Sequence, residues 1–418
     1  MIGVAGAAAY ALRGAGHARA AGANLLLLRA TSPVPAFDAY FTTILAPSYA
    51  KATGAKVAYE LVSPDKLQPR VASAAANGTG PDIALSLSDW SFRYNDAYAD
   101  VTDIAGQIGD ESGGWHDAAK EVAIIDGKWK SIPFSNVGQL MNWRLDWFAQ
   151  AGCEKFPDSW DELLHAGTKL KQAGHPFGFV LGGGSLDSQG WLYPLLWSFG
   201  GREVEPDGKT IALDSDETAR AVDFCRTFVR QTMPDDVLNW TDASNEVAFF
   251  AERISCTSTS ETSFYPATKD SSRIAGITGR ALNPLGPKGR FHVLAPGSHS
   301  VFTHTENLQA AKDFLRWLMH PDQAGPWYAS AGGYYAPFLK KYDDAPLWHV
   351  EPRNLPYRNS LATAHLPGWP APVGRPQSDS VARHVIVDMF ARACTGDSTK
   401  DVIAASVTQL RQIYRSAS

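Results

Sequence analysis

The 418-residue sequence lacks the features that mark several large protein classes. No run of five or more basic residues occurs and the formal net charge is −5, so nucleic acid and anionic membranes are poor partners. It also contains no GxxxxGK[ST] phosphate loop, no HExxH zinc motif and no GxSxG nucleophile motif. These absences exclude the best-known signatures of nucleotide, zinc-protease and serine-hydrolase chemistry.

Cysteine is scarce, and the four cysteines match no zinc-binding spacing. Three histidines, His292, His299 and His304, fall close together but have no acidic partner at ligand spacing. We therefore expect neither a metal nor a cofactor. Cys225 lies in a helical pattern and reads as a buried free thiol, while one unassigned disulfide stays possible if the chain is exported.

Long apolar runs are missing as well, and the N-terminal one spans only residues 4–12. That is too short to cross a bilayer, which takes about 20 residues. Small-x-small sites follow at 18–20 and 21–23, as in a secretory signal peptide, although no Lys or Arg precedes the apolar run. We predict that residues 1–23 are a signal peptide, with an Ala/Gly-rich tail as the alternative. The mature protein would be periplasmic, since no cysteine near residue 23 could carry a lipid anchor.

The first part of the mature chain alternates between strand and helix patterns. Residues 24–30, 56–62 and 82–87 read as strands, and 36–53 and 65–77 read as helices. This β-α-β-α-β order is typical of a doubly wound α/β domain, and a chain of this length favours two domains. Ligands of such sheets bind beyond the carboxyl ends of the strands, so the loop that begins at Ser88 is a candidate binding loop.

A second informative stretch runs from Asp126 to Leu164. Pro133 removes a backbone donor, which favours a strand edge or a passage between two bodies. Ser159 and Glu162 form a predicted capping box at the start of a helix.

This stretch, with its pattern GKxxxxPFxxxxxxxxWRxDxFxxAGxxxxPxSWDEL, resembles the extracellular solute-binding proteins of ABC importers, the group that includes maltose-binding protein. The run AAKDFLRWLMHPDQAGPWYASAGGYYAP, residues 310–337, is similar to a late segment of the same family. The resemblance implies an α/β, two-lobed periplasmic-binding-protein fold of type II, with a doubly wound sheet in each lobe and two crossing segments as the hinge. The expected boundaries are 24–136 plus 290–332 for lobe 1 and 137–289 plus 333–418 for lobe 2.

Aromatic side chains in predicted loops give the positive functional signal. Flat rings bind the apolar faces of sugars, and neighbouring carboxylates, amides and guanidinium groups bind the hydroxyls. Each ring could instead pack in a core or between lobes. The resemblance adds weight to Asp89 with Trp90, to Trp191 and to Tyr334. The candidate ligand-binding residues are Asp89, Trp90, Tyr94, Asn136, Asp187, Gln189, Trp191, Glu261, Phe264, Tyr334, Trp369 and Arg375.

The resemblance implies a monomeric exported binding protein that captures a mono- or oligosaccharide or a polyol and delivers it to a membrane permease. No catalytic residue is expected. Two alternatives remain open. A glycerophosphodiester or polyol phosphate would need cations in the cleft, and Arg93 and Arg375 are the candidates. A secreted carbohydrate-active enzyme would need two carboxylates about 5–10 Å apart, such as Asp89 with Asp187 or Glu261.

Overall fold

The computed structural model describes residues 22–182, 186–260 and 273–416. Its buried apolar side chains form two separate cores, one around a six-stranded sheet and one around a smaller sheet and a group of helices. Each core defines a lobe, which we call lobe 1 and lobe 2 in that order. The mixed α/β, two-lobed fold expected from the sequence is confirmed.

The strands are listed here in chain order. They are β1 Asn24–Ala30, β2 Lys56–Val62, β3 Ile83–Leu87, β4 Ile124–Ile125, β5 Lys128–Trp129, β6 Ile132–Asn136, β7 Gln139–Arg144, β8 Cys256–Ser260, β9 Thr278–Ala281, β10 His292–Val293, β11 Pro296–Val301, β12 Ala336–Pro337 and β13 Ala364–His365.

The α-helices in lobe 1 and the first half of lobe 2 are α1 Pro35–Tyr40, α2 Ala46–Thr53, α3 Pro64–Asn77, α4 Trp90–Arg93, α5 Thr102–Glu111, α6 Asp117–Ala123, α7 Leu145–Gln150, α8 Trp160–Gln172 and α9 Leu186–Phe199. A π-helical turn, Phe41–Leu45, joins α1 to α2.

The remaining α-helices are α10 Asp216–Thr232, α11 Asp242–Phe250, α12 Arg273–Gly276, α13 Leu308–Met319, α14 Pro321–Ser330, α15 Leu347–Val350, α16 Leu355–Ser360, α17 Arg375–Ala382, α18 Val385–Thr395 and α19 Thr399–Ser416. Short 3-10 turns occupy Asn95–Ala97, Asp235–Asn239, Lys340–Tyr342, Pro352–Asn354 and Leu361–Thr363.

The lobe 1 sheet has the strand order β12-β6-β11-β3-β1-β2. Its first three strands in the chain are parallel, as the alternating strand and helix patterns predicted. β11 returns from lobe 2 and inserts antiparallel between β3 and β6. Leu25, Leu27 and Leu28 of β1 are buried because helices cover both faces of a sheet of this kind.

Pro133 shows why a proline fits inside this sheet. It lies on β6 opposite Ser298 of β11, and on its other side β12 pairs only with Asn136 and Ser135. The missing N–H of Pro133 therefore breaks no ladder on that side, and the segment behaves locally as a sheet edge.

The described part of the lobe 2 sheet is antiparallel, with the order β8-β7-β9, rather than parallel and doubly wound. The apolar residues 177–181 (FGFVL) form no strand. Their backbone runs beside β8, where Gly178 N donates to Cys256 O over 2.9 Å. The Phe177 ring stacks on that of Phe179, and the Phe228 ring lies tilted against both.

Side-chain caps start two of the lobe 2 helices. Ser159 and Glu162 form the expected capping box of α8, in which the Glu162 N–H donates to Ser159 Oγ over 3.2 Å. Ser215 caps α10, and its Oγ accepts from Thr218 N over 3.2 Å.

The chain passes between the cores three times, not twice as expected. It leaves the first core after Phe134, re-enters it at Leu294 and leaves it between Leu366 and Ala371. Of the later core residues, Val373 alone still packs on the first core. The late aromatic segment around Tyr334 therefore packs with lobe 1, whereas the expected boundaries gave 333–418 to lobe 2. In the part of the chain that the structure describes, none of the helices is apolar for long enough to cross a membrane.

Candidate functional site

A cavity of about 370 Å³ lies between the two cores. Lobe 1 supplies the ends of β3 and β11 and the aromatic residue Tyr334, and lobe 2 supplies β7, β8, α9 and α17. The lining residues are Leu87, Ser88, Asp89, Trp90, Val137, Gln139, Gln189, Ser260, Val293, Leu294, Ala295, Pro296, Tyr334, Leu366, Pro367, Val373, Gln377, Ser378 and Val381. We call this cavity the cleft.

The lobe 1 wall follows from the end of β3. Ser88 adopts a positive φ of 48°, which turns the chain at the carboxyl end of the strand and directs Asp89 and Trp90 into the cleft. The Trp90 ring meets Tyr94 edge-on at 6.3 Å. Asp89 lies 3.5 Å from the guanidinium group of Arg93, so the two side chains form an ion pair at the rim.

The second aromatic side chain of this wall is Tyr334, which follows two glycines of positive φ, Gly332 and Gly333. Its ring packs edge-on against Tyr335 with the centroids 4.6 Å apart. The Tyr335 hydroxyl group is 3.0 Å from Ser32 Oγ at the end of β1. Burial raises the pKa of Tyr335, so the phenol stays neutral and holds the aromatic pair on the sheet.

The lobe 2 wall is polar and uncharged. Gln139 on β7 and Gln377 on α17 are almost fully buried, at 6% and 3% exposure, and the Oε1 atom of each has no hydrogen-bond partner. The Oγ atom of Ser378 is buried without a partner too. An unpaired buried polar group costs about 1–3 kcal/mol, so these atoms favour a ligand that can bond to them.

Two glycines fix these carboxamides. An added Cβ at Gly190 of α9 would lie 2.4 Å from Gln139 Oε1, and one at Gly368 would lie 2.3 Å from Gln377 Cγ. Gly368 also has a φ of 94°, which other residues rarely adopt. The glutamine side chains therefore occupy space that only glycine leaves open.

The hinge consists of the three crossings. The second and third run side by side as β10 and β13, which pair in parallel. Glu121 of α6 in lobe 1 accepts from Leu366 N over 2.7 Å and lies 3.0 Å from His365 Nδ1. The third crossing is thus bonded to lobe 1 just before it enters lobe 2.

A buried carboxyl group, that of Glu203, lies next to α17. Glu203 is 2% exposed, accepts from the Tyr414 hydroxyl over 3.2 Å and lies beside Ser380 of α17. Burial raises the pKa of Glu203 to about 7, and the neighbouring hydroxyl groups of Ser380 and Tyr414 lower it only partly.

Four of the predicted site residues line the cleft: Asp89, Trp90, Gln189 and Tyr334. Tyr94 lies behind Trp90. Asn136 is buried at the first crossing, where its Oδ1 accepts from Ala295 N over 2.8 Å.

The other predicted residues lie elsewhere. Trp191 is fully buried in the lobe 2 core and donates from Nε1 to Val180 O over 2.8 Å, so it does not reach the cleft. Asp187 is buried and accepts from Asn245 Nδ2 over 2.8 Å. Trp369 stacks on the hinge residue His365 at 4.5 Å, and the Arg375 side chain is 86% exposed. Glu261 and Phe264 fall outside the described residues.

Sequence reasoning missed Gln377 and Ser378. They follow Gly374 at the start of a short helix, and the sequence around them carries only a Gly-Arg-Pro signal for a helix start. Only the third crossing brings this helix to the cleft. Gln139 is not among the predicted ligand-binding residues either, because its place opposite Gly190 depends on the tertiary fold.

A family comparison decides where the chain belongs. The model of the bacterial extracellular solute-binding proteins matches residues 45–356, about three quarters of the sequence. The chain belongs to this family. Its two-lobed structure with a cleft between the lobes is consistent with the match.

Curated relatives of this solute-binding protein match over part of their length. A putative binding protein of Brucella abortus is 26% identical over 172 residues, 40% of this chain and 41% of the relative. The diacetylchitobiose-binding protein DasA of Streptomyces coelicolor is 24% identical over 123 residues, 29% of this chain and 28% of its own. The chain thus aligns with less than half the length of these relatives.

Solved structures match over nearly the whole chain. The binding protein for cyclic α-maltosyl-1,6-maltose from Arthrobacter globiformis has a TM-score of 0.76 at 21% identity and covers 94% of this chain and 99% of its own. The sugar-binding protein MalE of Xanthomonas citri has a TM-score of 0.78 at 13% identity, over 94% and 98%. At these identities the likeness establishes the fold.

Proposed function

We propose that this protein captures an uncharged carbohydrate or polyol in the cleft and closes its lobes around it. The observation that carries the proposal is a set of three lining residues, Gln139, Gln377 and Ser378, each with a buried and unpartnered side-chain oxygen atom. Trp90 and Tyr334 line the same cavity. Carboxamide oxygens accept hydrogen bonds, and a sugar hydroxyl group donates one. The rings match the apolar C–H face of the same ligand, and each such contact adds about 0.5–1.5 kcal/mol beyond area burial.

The relatives support this class of ligand. Structural neighbours include proteins in complex with maltose, laminaribiose, acarbose and ribitol, and one curated relative is named for diacetylchitobiose. A cavity of about 370 Å³ falls in the lower part of the roughly 300–1,000 Å³ range of small-molecule sites. A mono- or disaccharide or a polyol fits this size better than a long oligosaccharide.

The charge of the cleft disfavours an anionic ligand such as a glycerophosphodiester. Among the described lining residues there is no Lys or Arg. Arg93 faces Asp89, and Arg375 points to solvent beside Asp379 at 3.9 Å. A phosphate group would enter the cleft without a cation and beside a carboxylate.

The same residues disfavour hydrolysis. Asp89 is the one carboxylate among the described lining residues, and Asp187 is bonded to Asn245 inside lobe 2. A retaining or inverting glycosidase needs two carboxyl groups that flank the scissile bond. We therefore assign the protein a binding role and, as its family implies, delivery of the closed complex to the permease of an ABC importer. The export signal and the monomeric state belong to the same proposal.

A thermal-shift screen tests the ligand class. The panel holds maltose, laminaribiose, diacetylchitobiose and ribitol on one side and glycerol 3-phosphate on the other. A ligand at 100 times its Kd adds about 2.7 kcal/mol to stability, and we expect such a shift only with uncharged compounds. A shift with the phosphate alone refutes the proposal, and product formation during long incubation with an oligosaccharide favours the enzyme instead.

A matched pair of variants locates the site. Gln377→Ala removes a buried cleft group, and Gln150→Ala removes an exposed glutamine at the end of α7. We expect the first to weaken binding at least about tenfold and the second to leave it unchanged. Equal affinities for the two variants would place the ligand elsewhere.

A further inference from the structure

Two of the four cysteines meet in lobe 2, and neither of them lines the cleft. Cys225 lies on α10 and Cys394 on the last turn of α18, 169 residues apart in sequence, and their sulfur atoms are 3.9 Å apart. All four cysteines are free thiols in the structure. Cys256 lies on β8 and Cys153 follows α7, and neither has a second sulfur atom within bonding reach.

Hydrogen bonds hold the two sulfur-bearing segments in register. Arg226, the neighbour of Cys225, donates from Nε to Ala393 O over 2.9 Å and from Nη2 to Asp397 O over 2.6 Å. The Thr399 hydroxyl group at the start of α19 donates to Asp223 of α10. The backbone on both sides of Cys394 is therefore bonded to the helix that carries Cys225.

The two thiols differ in access. Cys225 is fully buried, and burial raises the pKa of its thiol. Cys394 is partly exposed, so a soluble oxidant reaches it first. A disulfide needs a sulfur–sulfur distance of about 2.05 Å, so rotation of the two side chains must bring the atoms about 1.9 Å closer.

We propose that Cys225 and Cys394 form a disulfide that fastens the C-terminal helices to lobe 2. An external disulfide, such as oxidised glutathione or a protein dithiol oxidant, is the co-reactant. The Cys394 thiolate attacks one sulfur of that disulfide and releases one thiolate. The Cys225 sulfur then attacks the Cys394 sulfur and releases the second. Two protein thiols lose two electrons and two protons, and the co-reactant takes them up as two thiols.

The link bears on the cleft through α17. That helix carries Gln377 and Ser378 and is followed directly by α18, after His384 in a left-handed conformation with φ 56°. A disulfide between α10 and α18 would restrict the movement of α18 and, through it, of α17 in the lobe 2 wall of the cleft. The family is extracellular, and disulfides persist in such compartments. The proposal does not depend on the nature of the ligand.

The test is oxidation of the folded, full-length protein with oxidised glutathione, followed by alkylation in denaturant and peptide mass spectrometry. We expect a peptide pair that joins Cys225 to Cys394, and two alkylated thiols per chain instead of four. The oxidised protein should melt roughly 5–10 °C higher than the reduced one, since the link closes a long loop.

Two serine variants serve as test and control. Cys394→Ser should lose the difference in Tm between oxidised and reduced protein, while Cys153→Ser, also partly exposed, should keep it. Four alkylated thiols, a link through Cys153 or Cys256, or a stable glutathione adduct on Cys394 each overturn the disulfide. A joined pair with unchanged Tm overturns its anchoring role.

Discussion

The buried carboxyl group of Glu203 gives the sharpest quantitative prediction. Its pKa lies at about 7 in the folded protein against an ordinary value of 4.5. Between these values the folded state keeps a proton that the unfolded state has lost. The contribution of Glu203 to the free energy of unfolding is therefore fully present below about pH 4.5 and is lost as the pH rises through about 7.

The magnitude follows from the difference between the two pKa values. A shift of one pKa unit corresponds to about 1.36 kcal/mol. The rise of the Glu203 pKa from 4.5 to about 7 therefore lowers the free energy of unfolding by about 3 kcal/mol once Glu203 is ionised. The variant Glu203→Gln has no ionisable group at this position and can still accept from the Tyr414 hydroxyl. We expect the free energy of unfolding of the variant, relative to that of the wild type, to be about 3 kcal/mol higher at pH 8 than at pH 4.5.

Urea unfolding of both proteins at several pH values measures this difference. Contributions from all other titrating groups cancel because they are shared. The control is Glu205→Gln, whose carboxylate pairs with Arg202 at 3.0 Å near the surface and should change stability by less than about 1 kcal/mol at any pH. A difference between Glu203→Gln and wild type that stays constant with pH would refute the reasoning.

Three further predictions follow from the described contacts. Gly190→Ala should weaken ligand binding at least about tenfold and lower stability by roughly 1–3 kcal/mol, because its Cβ displaces the Gln139 side chain; calorimetric titration and urea unfolding check this, and unchanged affinity contradicts it. Trp191→Phe should lower stability by about 1–2 kcal/mol through the lost bond to Val180 O, yet leave the Kd within about twofold; a large loss of affinity would return Trp191 to the site. Acid should unfold the protein through His292 and His299. Burial lowers the pKa of both, to about 3 for His292, so they stay neutral in the fold and stability falls as the pH drops below about 6.5, by roughly 2 kcal/mol per pH unit in the Glu203→Gln background. A flat urea midpoint between pH 6.5 and 5 would contradict it.

Local sequence signals predicted the parts of the fold that local physics determines. The β-α-β-α-β start of lobe 1 follows from apolar periodicity, and the capping box at Ser159 follows from the pairing of a hydroxyl and a carboxylate at a helix start. The loop after β3 was placed at the cleft by a rule that holds for open sheets, and Asp89 and Trp90 do line it.

Other features depend on tertiary structure that the sequence does not display. The proline-rich segment between Pro346 and Pro376 has no period, so nothing in it indicated that it packs on lobe 1 before the third crossing. Trp191 was expected in a binding loop, but it lies on α9 with its indole inside the lobe 2 core. The cleft carboxamide of Gln377 is defined by a close approach to Gly368 that no spacing rule describes.

The central claim is that two separately cored lobes close on an uncharged carbohydrate held between Trp90, Tyr334 and the glutamines of lobe 2. Small-angle X-ray scattering tests it most directly, with the protein measured alone and saturated with the saccharide or polyol that gives the largest thermal shift. We expect the radius of gyration to decrease on saturation, since hinge closure brings the lobes together. Saturated binding with an unchanged radius of gyration would contradict the claim.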